Sequence, residues 1–137
     1  MTNIQVTQRL PVPAEAVWAL IGDFGGLHRW HPQVSRLDLS WEGRIRTLHY
    51  TDGSRAVERL EARNDLACRL VYVLVDGSLP LHGCRSRLEV QADGDQCIVI
   101  WSTDFEVLGS GEAAMEADLR RLQDVGLGAL AAVMGDL

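Results

Sequence analysis

One pattern constrains this chain more than any other. From about position 34 to 107 it runs as short segments alternating apolar and polar residues, and a stretch repeating every three or four residues then closes it. Period-two segments joined by tight turns make antiparallel sheet, and a 3.6-residue stripe makes an amphipathic helix. A sheet and a helix that each carry one apolar face must cover one another. A curved sheet around a terminal helix leaves a hollow between them. A hollow with apolar walls is a place to bind an apolar molecule.

Ahead of the sheet, Ile4, Val6, Gln8 and Leu10 alternate with polar residues and predict a strand, ended by Pro11 and Pro13. Pro13 suits a helix start, and Glu15 suits the positive end of the helix dipole. Val17, Trp18, Leu20 and Ile21 then form the apolar side of a short helix stopped by Gly22. Asp23 is placed to cap a second short helix through Phe24, Leu27 and Trp30, which Pro32 ends at His31. Further strands are predicted at Ser35–Trp41, Ile45–Tyr50, Arg55–Ala62, Cys68–Val75, Leu81–Val90 and Cys97–Val107. Asp52-Gly53 is the strongest local turn signal. The terminal helix begins after Gly109-Ser110-Gly111. Its apolar stripe runs through Met115, Leu119, Leu122, Gly126, Ala129 or Leu130, and Val133, with Arg120, Gln123 and Asp124 away from it. Gly126 and Gly128 each cost about 1 kcal/mol against alanine in a helix. Two readings are open: they leave space for a ligand, or they let the helix pack close on the sheet. Trp18 and Trp41 read as packing residues.

The bulk numbers narrow the function. A chain of 137 residues makes one domain, 1–137, with a core that needs no staples. A net charge of −6 argues against nucleic acid or an anionic membrane as partner. No segment reaches the ~20 apolar residues of a membrane span, and no secretory signal is visible. Three cysteines, far apart and odd in number, point to a reducing cytoplasm.

Several stretches carry a family resemblance. They are Pro13-Ala14-Glu15-Ala16-Val17-Trp18, Gly22-Asp23-Phe24-Gly25-Gly26-Leu27 and Trp30-His31-Pro32, then Arg46-Thr47-Leu48, Asp52-Gly53, Val57-Glu58-Arg59-Leu60, Trp101 and Gly126-Leu127. In this order the chain resembles the bacterial polyketide cyclase/dehydrase-like family of the START and birch-pollen-allergen superfamily. The resemblance implies an α+β helix-grip fold: a curved antiparallel sheet of seven strands around a long C-terminal helix, with two short helices after the first strand. That family mixes cyclases, ligand carriers and uncharacterised proteins, so it implies a container more firmly than a reaction. The chain departs from the pattern at Val12, where relatives often carry a polar cap, and near Cys84, where they often carry an aromatic residue.

Strand parity selects side chains for the hollow. Cys84 and Ser86 share a face with Leu88 and Val90, while Arg85, Arg87 and Glu89 belong in water. Trp101 faces in with Val99, Thr103 and Phe105. Tyr72 is chosen over Val71 and Val73 because its hydroxyl suits a ligand. Glu58 is the sharpest candidate. It shares a side with Ala56, Leu60 and Ala62, and a carboxylate there is expensive unless paired. A two-residue turn at Asp52-Gly53 sets Thr47 opposite Glu58, whereas one extra bulged residue sets Arg46 there. Glu58 then reads as an acid/base or ligand anchor, or as half of an ion pair that holds the sheet. His31 reads as an acid/base group or as a residue bonding a backbone carbonyl. Trp30 beside it reads as a chamber wall or a core plug.

His28 with His31, and His82 with Cys84, are too sparse for a metal site. No phosphate-binding, dinucleotide or nucleophile-elbow motif occurs, so no cofactor is expected. The expected function is binding of a small hydrophobic, partly oxygenated molecule in an internal cavity. Trp30, His31, Arg46, Glu58, Tyr72, Cys84, Trp101 and Gly126 form the candidate site. One alternative is a cyclase, aromatase or dehydratase in which Glu58, His31 or Tyr72 moves protons. A second is an interaction module, or a homodimer, using outward Ile98 and Ile100.

Overall fold

In a computed structural model describing residues 1–135, all seven strands lie in one antiparallel sheet. The last two residues of the expected domain lie outside the described residues. The strands are β1 (Thr2–Leu10), β2 (Val34–Ser40), β3 (Ile45–Tyr50), β4 (Arg55–Asn64), β5 (Arg69–Gly77), β6 (Leu81–Asp93) and β7 (Gln96–Val107). Their order is β1-β7-β6-β5-β4-β3-β2, so six strands form a plain meander and β1 returns to pair with β7. Helices α1 (Ala14–Ile21) and α2 (Glu112–Gly135) complete the chain. The sheet curves around α2, which packs on β1 and β7, in the helix-grip arrangement.

The second expected helix shrinks to one 3-10 turn, Leu27–Arg29. Gly25 and Gly26 precede it, and Asp23 is spent on an Asx turn, accepting from the Gly25 N–H at 3.0 Å. Pro32 closes the other side. Too few residues remain between the glycines and the proline for a full α-helix.

Bulges supply curvature and also shift parity. One lies between Leu60 and Ala62 and leaves Glu61 unmatched on β4. Beyond it Ala62 is exposed, not inward as strict alternation predicts. Trp41 corrects another expectation. It sits in the β2–β3 turn with φ 51° and is 78% exposed, so it is not a core packing residue. Trp18 does pack in the core and donates through Nε1 to Asp65 Oδ1 at 3.1 Å. On the outer face, Ile98 and Ile100 are half-buried. Their strand neighbours Arg9, Thr7, Gln91 and Glu89 flank them. They form no bare apolar patch.

The buried core lies between the sheet and the helices: Ile4, Leu10, Val17, Ile21, Leu88, Val99, Leu127 and Leu130 are all nearly inaccessible. The inward stripe of α2 is wider than predicted. It includes Gln123, which is buried, and it ends on Met134, with Val133 half exposed. Gln123 lies four residues from both Leu119 and Leu127, a spacing that returns to the same face.

Candidate functional site

The β3–β4 connection decides the register on which the site depends. Tyr50 pairs with Ser54, so the loop holds three residues, Thr51 to Gly53, with Gly53 at φ 89°. Asp52 Oδ1 accepts from the Ser54 N–H and hydroxyl at 2.8 and 2.6 Å and pins the loop. The extra residue sets Arg46 opposite Glu58. Of the two registers open in the sequence, the bulged one forms.

Arg46 Nε donates to Glu58 Oε1 at 2.8 Å, Nη2 lies 2.8 Å from the same oxygen in the ion pair, and Nη1 donates to the Phe24 carbonyl at 3.0 Å. The guanidinium lies against two rings, 4.2 Å from the Phe24 centroid and 4.5 Å from that of Tyr72. Its side chain is 4% exposed and that of Glu58 is 13% exposed. Arg46 is thus buried behind Glu58 and does not line the cavity, contrary to expectation. Glu58 does line it. Both ion-pair bonds fall on Oε1, so Oε2 has no protein partner among the described residues.

The cavity has a volume of about 370 Å³ and is partly open to solvent. Its floor is the inner face of β3 to β7, and its roof is the first half of α2 through Leu119, Leu122 and Gln123. Leu48, Ala56, Leu74, Leu119 and Trp101 provide apolar wall, and Glu58, Tyr50, Cys84, Ser86 and Thr103 bring polar atoms. Burial, reinforced by nearby Glu58, pushes the Tyr50 phenol well above its ordinary range. The same two causes, burial first, raise Tyr72 and push the Cys84 thiol up to about 12. All three groups therefore stay protonated near neutrality.

Tyr72 lines the cavity, but its oxygen already accepts from Trp101 Nε1 at 2.9 Å. Sequence reasoning placed both residues correctly and missed that they bond each other. It also missed Tyr50 and Gln123 as lining residues. Tyr50 alternates in phase with Arg46 and Leu48, so parity carried the signal.

His31 lies at the cavity wall, and of its two readings the one that bonds a backbone carbonyl holds. Its ring is 1% exposed, and both nitrogens are engaged. The Leu122 carbonyl, 2.8 Å from Nε2, can only accept; the Gln33 N–H, 3.2 Å from Nδ1, can only donate. The neutral Nε2-protonated ring satisfies both. This leaves no nitrogen free for a ligand and corrects the acid/base assignment. His31 instead ties α2 to the segment before β2. Burial lowers its pKa below the ordinary 6.5, against an opposing effect of the Leu122 bond. The unfolded chain therefore binds a proton that the folded chain refuses. Stability is whole above the unfolded value and falls as pH drops through it. Urea midpoints should decline between about pH 7.5 and about pH 5.5, and His31→Gln should flatten that decline. An unchanged slope in the variant would refute the assignment.

Gly126 resolves its two readings toward packing. A Cβ there would lie 2.5 Å from His31 Cδ2 and 3.1 Å from Trp101 Cζ3. The missing side chain makes room for these rings, not for a ligand, and Gly126 does not line the cavity. Trp30 is likewise a core plug. It is 4% exposed, its ring centroid lies 5.7 Å from that of Trp101, and it is absent from the cavity wall. Among the described residues no group of three or more His, Cys, Asp or Glu could hold a metal ion, and no helix is long and apolar enough to cross a membrane.

Residues 1–135 match the family model described as polyketide cyclase/dehydrase and lipid transport. Among solved structures, the chain is similar to the protein XoxI from Bacillus cereus: 26% identity, 98% of this chain and 96% of that one covered, TM-score 0.94. A protein from Thermobifida fusca is 36% identical, with 100% and 95% covered and a TM-score of 0.82. The ZhuI aromatase/cyclase from a Streptomyces species is 15% identical, with 97% and 93% covered and a TM-score of 0.84, a likeness that shows the fold alone. No curated protein matches the chain in sequence.

Proposed function

Because the chain belongs to the polyketide cyclase/dehydrase and lipid-transport family, we propose that it binds a small, mostly hydrophobic, partly oxygenated molecule in the cavity under α2. One observation carries the reading. The cavity is walled mainly by apolar side chains, yet it holds Glu58 with one oxygen fastened by Arg46 and the other unengaged. Apolar walls supply affinity in proportion to the area they dehydrate, at about 25 cal/mol per Å². A fixed acceptor inside supplies orientation, because a ligand without a donor there strands a polar atom. The three cysteines are free, which fits a cytoplasmic carrier or sensor of such a molecule.

The test is a fluorescence titration with 2-naphthol, alongside native mass spectrometry of freshly purified protein for a bound small molecule. One naphthol per chain should bind saturably. Cys84→Phe, which narrows the cavity, should weaken that binding by roughly tenfold or more. Unaltered binding to Cys84→Phe would place the naphthol elsewhere and defeat the proposal.

A second reading is favoured by the protonated Tyr50 phenol near the Glu58 carboxylate on one wall. Tyr50 would hydrogen-bond a carbonyl oxygen of a folded polyketide-like substrate. Glu58 Oε2 would take a proton from the adjacent carbon, the chemistry of a cyclase or dehydratase. Tyr50→Phe separates the readings: a catalyst loses turnover and keeps its affinity, whereas a carrier has no turnover to lose.

A further inference from the structure

We propose that the cavity takes an elongated apolar ligand with a hydroxyl at each end, one met by Glu58 and the other by Gln123. This rests on the ligand-binding reading above and adds the length and polarity of the ligand. Gln123 is 4% exposed and lines the cavity from the helix side. Its Nε2 donates to Thr103 Oγ1 at 2.9 Å, while Oε1 is buried without a hydrogen-bond partner. Turning the amide over changes only which end is stranded. Oε1 would then meet Thr103 and the NH2 group would be alone. A hydroxyl satisfies either orientation, donating to the oxygen or accepting from the nitrogen.

The sheet sets the distance between the two polar ends. Thr103 pairs with Ser86, Ser86 with Tyr72, and Tyr72 with Leu60, two residues from Glu58 on β4. Thr103 and Ser86 are joined by a 2.8 Å hydroxyl bond. Four strands at ~4.8 Å spacing span roughly 14 Å, which the curvature of the sheet shortens. Leu74, Trp101 and Leu119 lie in the cavity wall as apolar surface. A ligand with an oxygen at one end only would leave the other end's polar atom dry and unpaired.

The test uses calorimetry on the intact chain with two biphenyls of equal shape, para-hydroxy-para′-methylbiphenyl and para,para′-dihydroxybiphenyl. The dihydroxy compound should bind wild type about tenfold more tightly, the gain of one buried hydrogen bond. In Gln123→Met that preference should vanish, the two compounds binding with equal affinity. Equal binding of the two compounds to wild type overturns the inference and leaves the cavity reading standing, as does a preference that persists in Gln123→Met. If neither compound binds, the cavity reading falls and the inference falls with it. Should Gln123→Met not fold, the wild-type comparison still decides.

Discussion

Arg46→Met should cost the folded chain about 3–5 kcal/mol, seen as a large drop in urea midpoint. Methionine keeps much of the packing volume against Phe24 and Tyr72 but removes both donated hydrogen bonds and the ion pair. The Glu58 carboxylate, little exposed, then has no counter-charge, and the Phe24 carbonyl loses its donor. An uncompensated buried charge is the expensive product, more than the loss of the attraction itself. The double variant Arg46→Met/Glu58→Leu should therefore recover most of the loss. If the single variant costs under about 1 kcal/mol, the pair behaves as a solvated rim contact. The view of Glu58 as a fixed polar anchor inside an apolar chamber would then be wrong.

Gly126→Ala and Gly128→Ala should move stability in opposite directions although both replace a glycine in one helix. At Gly128 a Cβ meets nothing within 4 Å, so the change gains the helix preference of alanine, about 1 kcal/mol. At Gly126 the new methyl would meet the His31 ring at 2.5 Å from Cδ2 and 2.8 Å from Nε2. That ring cannot step aside without breaking its bonds to Leu122 and Gln33. Overpacking of this kind costs roughly 1–3 kcal/mol, which outweighs the propensity gain. Thermal melts of the two variants read the contrast directly. Equal shifts of the same sign would mean that the His31 ring is not held in place.

Much of this architecture was legible before any coordinates. The alternation in β6 and β7 placed Ser86, Leu88, Val99, Trp101 and Phe105 inward, and all are buried. Parity is a local property, set by successive side chains pointing to opposite faces. It failed at Ala62, where one unmatched residue at Glu61 shifts the count. It was undecided at Glu58, where the choice between Thr47 and Arg46 turned on a single loop residue. Trp41 failed for a different reason. A large apolar residue looks like core in a sequence, but Trp41 falls in the β2–β3 turn, at φ 51°, and is 78% exposed.

The site was harder to read than the fold because its residues are defined by what they touch. His31 could be an acid/base group or a backbone-bonding residue, and only its two partners, a carbonyl from α2 and an amide two residues on, show that its nitrogens are spent. Gly126 could leave room for a ligand or for close packing, and the room is taken by that same ring and by Trp101. Gln123 looked like a solvated helix position, and it forms part of the chamber roof.

By itself the sequence determined the strand and helix content, the inward faces of most strands and the membership of a ligand-chamber fold, since periodicity and turn chemistry act over a few neighbouring residues. Tertiary structure decided which polar groups stay unengaged inside. A hydrogen bond between residues 12, 29 or 91 positions apart depends on register, curvature and helix placement together, and no local pattern carries that information.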